Sequence, residues 1–235
     1  AIAMGDKWIA VCTSSLYLRI HSFGGLPLSI HSLPGHVVCM AGADSRLFVV
    51  FHRAAPFNGT QQLSYWLLDL DTRSRVSSGD LPISPRGSIT WAGLTDAALP
   101  ATFDSNGTLR MLAPPWGDAW VPILEYPRGQ ESSSRGHDAS PRGQEGRSDV
   151  LWMVGVSSND VSCVICKGGT VEPSVSARPM MTSLKMKIPT ASADTSLAES
   201  EEAYVRAVMM YDVGGEGEER EATAIDAMLL GLINV

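Results

Sequence analysis

The alternation of apolar and polar positions along the chain repeats on a long period. Val38-Cys39-Met40-Ala41-Gly42, Ile89-Thr90-Trp91-Ala92-Gly93 and Leu151-Trp152-Met153-Val154-Gly155 share one form, alternating side chains that close on Gly. A Pro/Gly turn precedes each copy: Leu33-Pro34-Gly35, Pro85-Arg86-Gly87 and Pro127-Arg128-Gly129. The copies begin at residues 38, 89 and 151. A period of about 40–50 residues carrying strand-type alternation predicts the blades of a β-propeller. The longer second interval predicts an insertion.

Strands follow from the same pattern. Trp8–Cys12, Leu16–His21 and Leu28–His31 read as three strands of a blade whose first strand is missing. The second unit reads as Val37–Ala41, Arg46–His52, Leu63–Leu70 and Arg75–Ile83, with Ala54–Thr60 as a turn-rich loop. The third reads as Ser88–Gly93, Pro100–Asp104, Thr108–Leu112 and Trp120–Leu124. Ser105-Asn106-Gly107 is its hairpin turn, since Asn and Gly tolerate positive φ. Asn58-Gly59-Thr60 and Asn106-Gly107-Thr108 also match the glycosylation sequon, but the turn reading is preferred. The fourth unit reads as Val150–Val156 and Val161–Cys166, with Val171–Val175 and Thr182–Ile188 as further strands.

Two segments break the pattern. Residues 128–149 are rich in Gly, Ser, Arg and Gln, contain Pro-Arg-Gly-Gln-Glu twice if Pro127 is included, and are expected to be a disordered insert. After Pro189 the period becomes helical. Ser196 and Glu199 suggest a capping box, and Leu197, Tyr204, Val205, Val208 and Met209 follow at helical spacing. A second helix is expected over Glu219–Leu232.

Charge and cysteine content narrow the function. The net charge is −7, and residues 194–235 alone, with ten acids and two Arg, carry −8. A nearly neutral body with an acidic tail gives no support to nucleic-acid binding, which needs a clustered basic face. Four Cys are too few for a disulfide scaffold of this size, and the first residues have no signal-peptide pattern. No apolar run reaches membrane-spanning length. A soluble, reducing, intracellular setting is the expectation.

Candidate chemistry is sparse. Cys163-Val164-Ile165-Cys166 has metal or redox spacing, but positions i and i+3 of a strand point to opposite faces, so two half-buried thiols are expected. The His at 21, 31, 36, 52 and 137 are scattered, with His21 and His31 expected on adjacent strands. Asp69-Leu70-Asp71 reads as a solvated turn, and Ser140-Pro141 as a weak modification candidate. Trp66, Trp91, Trp116, Trp120 and Trp152 are expected to pack between blades. A propeller enzyme would place polar groups on the innermost strands Val37–Ala41, Ser88–Ala92 and Val150–Val154. Those strands offer almost no acids or His. No catalytic, cofactor or metal residue is assigned.

The segments Ala3–Val11, Tyr17–Ile20 and Leu33–Gly42 are similar to the middle, SepB-type domain of a family of replisome adaptors. So are Pro82–Pro85 with Trp91–Gly93, Asp104–Gly107 with Leu109–Leu112, and Trp116–Pro122. Trp152–Gly155 and Cys163–Gly168 extend the match over roughly residues 3–190. The family includes the acidic nucleoplasmic DNA-binding protein of animals, chromosome transmission fidelity protein four of yeast and the minichromosome loss protein of fission yeast. Glu201–Val208 resembles the first helix after the propeller.

The resemblance implies a mainly β chain. Residues 1–192 would form a partial, WD40-like SepB propeller with about four of six blades and an incomplete ring, and residues 193–235 would begin an α-helical domain. It further implies a nuclear, chromatin-associated, non-enzymatic homotrimer. That trimer would link the replicative helicase, through GINS, to DNA polymerase alpha–primase by docking client peptides. No partner-binding residue carries over to a matching position. The alternative is a propeller scaffold for protein interaction outside replication.

Overall fold

A computed structural model describes residues 1–126, 149–158, 160–168, 170–174, 178–189 and 195–210. Its strands form four separate antiparallel sheets, each built from consecutive segments. The first contains β1 (Ile2–Met4), β2 (Trp8–Cys12), β3 (Tyr17–Ser22) and β4 (Pro27–Ser32). The second contains β5 (Val37–Ala43), β6 (Arg46–Phe57), β7 (Thr60–Asp69) and β8 (Ser74–Leu81). The third contains β9 (Ile89–Leu94), β10 (Pro100–Asp104), β11 (Thr108–Ala113) and β12 (Ala119–Glu125). The fourth contains β13 (Val150–Val156), β14 (Asp160–Cys166) and β15 (Met181–Lys185).

The first strands of successive sheets lie side by side, β1 against β5, β5 against β9 and β9 against β13. β5, β9 and β13 carry the repeated stretches that end in Gly. The arrangement is that of propeller blades around an axis, and the four sheets do not close a ring.

Strand alternation explains the stacking. On β6, Leu47, Val49 and Phe51 join the core shared with the first sheet, while Phe48 and Val50 join the core shared with the third. A strand apolar on both faces is what a sheet between two sheets requires. The third sheet behaves likewise. Leu112 and Trp120 face the second sheet, whereas Ala101, Phe103, Leu109 and Met111 meet Leu151, Met153, Val161 and Cys163 of the fourth. All five residues of β10 are buried.

The repeated Gly has a physical cause at two of its three positions. A Cβ on Gly42 would lie 2.2 Å from the Met4 carbonyl oxygen and 2.6 Å from the Trp8 indole. A Cβ on Gly93 would lie 2.5 Å from the Trp91 ring. At Gly155 nothing stands within 4 Å, and the structure offers no steric reason for Gly there.

Several expectations need correction. The first sheet has its first strand: Ile2–Met4 pairs with Ile9–Val11 of β2. The segment 54–60 is not a loop, because β6 runs on to Phe57 and β7 starts at Thr60. Only Asn58 and Gly59 turn between them, at φ 50° and 78°. Residues 171–174 form no strand. β15 stops at Lys185, and the Lys187 N–H then donates to the Ile123 carbonyl of β12 at 2.9 Å. Burial of Met186 and Ile188 in the core of the third and fourth sheets draws the chain across.

A helix α1 (Thr195–Met210) follows, starting one residue before Ser196, which was expected to precede it as a cap. Val205 and Met209 return to the same core, and the Arg206 guanidinium donates to the Met186 carbonyl at 3.3 Å. The rest of the insert, except Asp149, and the second expected helix over Glu219–Leu232 lie outside the described residues. No described helix is long and apolar enough to cross a membrane.

Candidate interaction surfaces

The first and fourth sheets each carry an apolar face with no neighbour among the described residues. Directly opposed residues of an antiparallel pair share a face. Ile2 opposes Val11, Met4 opposes Ile9, and Val11 connects through Arg19 to Ile30. This outward face of the first sheet leaves Ile2, Met4 and Ile30 more than half exposed. In the fourth sheet Trp152 opposes Val164, which opposes Met181, and Trp152 and Met181 are exposed with Val154 beside them. In the second and third sheets the equivalent faces are filled.

Between the third and fourth sheets lies a cleft of about 240 Å³ lined by Trp91, Phe103, Tyr126, Asp149 and Trp152. Its remaining carboxylate, Asp104, is occupied. Asp104 is 2% exposed and accepts from the backbone N–H groups of Ser84, Asn106 and Thr108 at 3.1, 2.9 and 3.2 Å. The Arg110 guanidinium donates to it at 2.6 Å and to Ser84 Oγ at 2.8 Å. Burial alone would raise its carboxyl. The hydrogen bonds from Ser84, Arg110 and Thr108 outweigh burial and hold it below the ordinary carboxylate value. Asn106 Nδ2 also donates to the Pro85 carbonyl at 3.0 Å. The cluster therefore ties the β10–β11 turn to the link between the second and third sheets, and sequence reading of this stretch saw only a hairpin.

The other singled-out residues take structural places. Cys163 and Cys166 fall on opposite sides of β14, and both are fully rather than half buried. Burial raises both thiols, and it pushes Cys39 on β5 up to about 11. Such thiols stay protonated and poorly nucleophilic at neutral pH. No three His, Cys, Asp or Glu side chains among the described residues are placed to hold a metal ion.

His21 and His31 do sit on the paired strands β3 and β4. The His52 N–H donates to the His36 carbonyl at 2.9 Å, and His137 and Ser140-Pro141 lie outside the described residues. Asp69 caps its turn by accepting from the N–H groups of Asp71 and Thr72 at 3.0 and 3.2 Å. Trp66, Trp91 and Trp120 pack between sheets, whereas Trp116 and Trp152 are about two-fifths exposed, contrary to expectation.

Residues 1–190 match the family described as minichromosome loss protein, Mcl1, middle region. The chain is 37% identical over 210 residues to the WD repeat and HMG-box DNA-binding protein 1 of Xenopus laevis, covering 88% of this chain and 17% of that protein. Against the Homo sapiens protein of the same name it is 34% identical over 216 residues, covering 90% and 18%. Against minichromosome loss protein 1 of Schizosaccharomyces pombe it is 27% identical over 235 residues, covering 94% and 27%. Among solved structures, the WD40 domain of fission yeast SCAP overlays at a TM-score of 0.40 with 11% identity, covering 78% of this chain and 44% of that one. The chain thus spans under a fifth of the length of its animal relatives. On the match across residues 1–190, the chain belongs to the family of the middle region of the minichromosome loss protein.

Proposed function

We propose that this chain is the propeller segment of a non-enzymatic scaffold acting in DNA replication in the nucleus, in association with chromatin. Its trimer links the GINS-containing helicase to DNA polymerase alpha–primase. The family match over residues 1–190 carries this reading. The relatives' names, which speak of DNA binding and minichromosome loss, agree with a chromosomal setting. The surfaces also suit a scaffold. The inner strands β5, β9 and β13 bear no His, Asp or Glu. The apolar end faces are where further blades would continue the ring, since a free sheet face of that composition favours another sheet against it. A helix packed beside the last sheets begins the client-docking domain, where helical peptides would bind and trimerisation would add their weak contacts.

A longer version of the protein, extended on both sides, should run as a trimer by light scattering. From nuclear extract it should recover GINS and primase–polymerase subunits. A folded trimeric bait that recovers neither would refute the replication role and leave a propeller scaffold outside replication.

A further inference from the structure

A second cleft, of about 180 Å³, opens between the first and second sheets, far in sequence from the aromatic cleft. β4 contributes Ser29 and His31, the β7–β8 turn contributes Arg73, and the start of β8 contributes Ser74 and Arg75. Ile20, Leu68 and Leu70 give the cleft an apolar wall.

Its charges are unbalanced. The one carboxylate in the lining, Asp69, already accepts the Asp71 and Thr72 N–H groups and pairs with Arg46 at 3.6 Å. Neither Arg73 nor Arg75 pairs with a carboxylate among the described residues. The geometry fixes the backbone at Arg73 and the guanidinium of Arg75. Arg73 sits at φ 55°, in the left-handed region, which fixes the turn's path. The Arg75 guanidinium lies 4.0 Å from the Trp66 ring centroid. Stacking on an aromatic face orients a guanidinium while leaving N–H groups at its edge free. His31 Nε2 is 3.0 Å from Ser29 Oγ, so the imidazole is also positioned. Burial, and then the nearby Arg75, lower the His31 pKa, so the positive field already reaches this side chain.

We propose that this cleft binds a phosphorylated serine or threonine of a partner peptide, with Arg73 and Arg75 as the principal ligands and Ser29, His31 and Ser74 completing the donor set. Two guanidiniums and nearby hydroxyl and imidazole groups match a tetrahedral dianion better than a single carboxylate. The apolar wall of Ile20, Leu68 and Leu70 fits a neighbouring side chain, which free phosphate lacks. A nucleic-acid backbone needs a longer basic track than two arginines on a chain of net charge −7.

The test is fluorescence anisotropy of the full chain with a degenerate phosphoserine and phosphothreonine peptide library and its unphosphorylated twin. Inorganic phosphate, single-stranded DNA and anionic vesicles of phosphatidylserine in phosphatidylcholine serve as competitors. The phosphopeptides should bind roughly tenfold or more tighter than the twin, as expected for charge-assisted contacts. R73E/R75E should abolish that preference in a chain that still unfolds cooperatively, with only a small drop in midpoint from the lost Arg75–Trp66 contact, and K167E/K185E, just after β14 and on β15, should leave it intact. If the double variant unfolds, R73Q alone should still weaken phosphopeptide binding several-fold. Equal binding of the two libraries would overturn the proposal. So would a preference that survives folded R73E/R75E or R73Q, or stronger competition by DNA or vesicles than by phosphopeptide.

Discussion

The Asp104 cluster makes the sharpest prediction about what holds neighbouring blades together. Asp104→Asn preserves shape but removes the charge that compensates Arg110. Asn Oδ1 can keep accepting from Asn106 and Thr108, while the new amide N–H₂ faces the Ser84 N–H and the Arg110 guanidinium, donor against donor. Losing a charge-assisted hydrogen bond costs about 1.5–3 kcal/mol, and an unsatisfied buried N–H costs about 1–3 more. Breaking a buried ion pair from one side costs about 3–5 kcal/mol. Arg110 keeps some contact with solvent, with its side chain 15% exposed, so the lower end applies. About 3 kcal/mol is expected. For a domain this size that lowers Tm by about 6–12 °C. Urea unfolding followed by tryptophan fluorescence at pH 7 measures it. Replacing Arg110 by Met in the same background should recover part of the loss, because the uncompensated charge goes too. Acid gives an independent check. Asp104 is held below its unfolded value, so its contribution is present above that value and fades as pH falls through the folded one, below about 4. The gap between wild type and D104N should therefore close on acidification. A folded D104N within about 0.5 kcal/mol of wild type at pH 7 would refute the reasoning, because exposed substitutions alone stay within that range.

Other outcomes follow from burial and close approach. Gly42→Ala puts a methyl against the Met4 carbonyl and Trp8, so β1 must shift from β5, and a loss of about 2 kcal/mol with altered Trp8 fluorescence is expected. Gly155→Ala, with open space around it, should be close to neutral in the same assay. Cys163 and Cys166 should resist iodoacetamide at pH 8 in the folded chain and react on unfolding, since burial raises both thiols and hides them. Rapid labelling of either in native conditions would contradict the burial.

Much of this fold could be read from side-chain alternation alone. β10 and β13 match their expected bounds, because each is flanked by turn residues and has apolar partners on its core face. The errors have specific causes. Ile2–Met4 is too short to show a period, and pairing with β2 rather than local pattern makes it a strand. Ala54–Phe57 looks like a loop because its side chains are exposed, yet the backbone ladder with β7 continues through two irregularities. β15 ends at Lys185, short of the expected Ile188, because Met186 and Ile188 pack into the core beside β12 instead of extending the sheet. The charge-balanced cluster around Asp104 was invisible for another reason. Ser84, Asp104 and Arg110 are brought together by tertiary pairing, and no spacing in the sequence marks them as a unit.

The phosphate cleft was hidden in the same way. His31 appeared as one of several scattered histidines and Asp69 as a solvated turn, and both descriptions hold locally. What changes their meaning is that Asp69 spends its carboxylate on its own turn and on Arg46, leaving Arg73 and Arg75 uncompensated opposite β4. A propeller stacks its sheets through apolar faces, so most polar side chains at a sheet junction are balanced or driven to the surface. At the junction of the second and third sheets, the chain meets that demand with Arg110 closed onto Asp104. At the junction of the first and second sheets it leaves two guanidiniums without a carboxylate among the described residues, that of Arg75 oriented on Trp66. The same architecture thus produces a latch at one junction and a receptive site at the next, and the difference lies in where the carboxylate is spent.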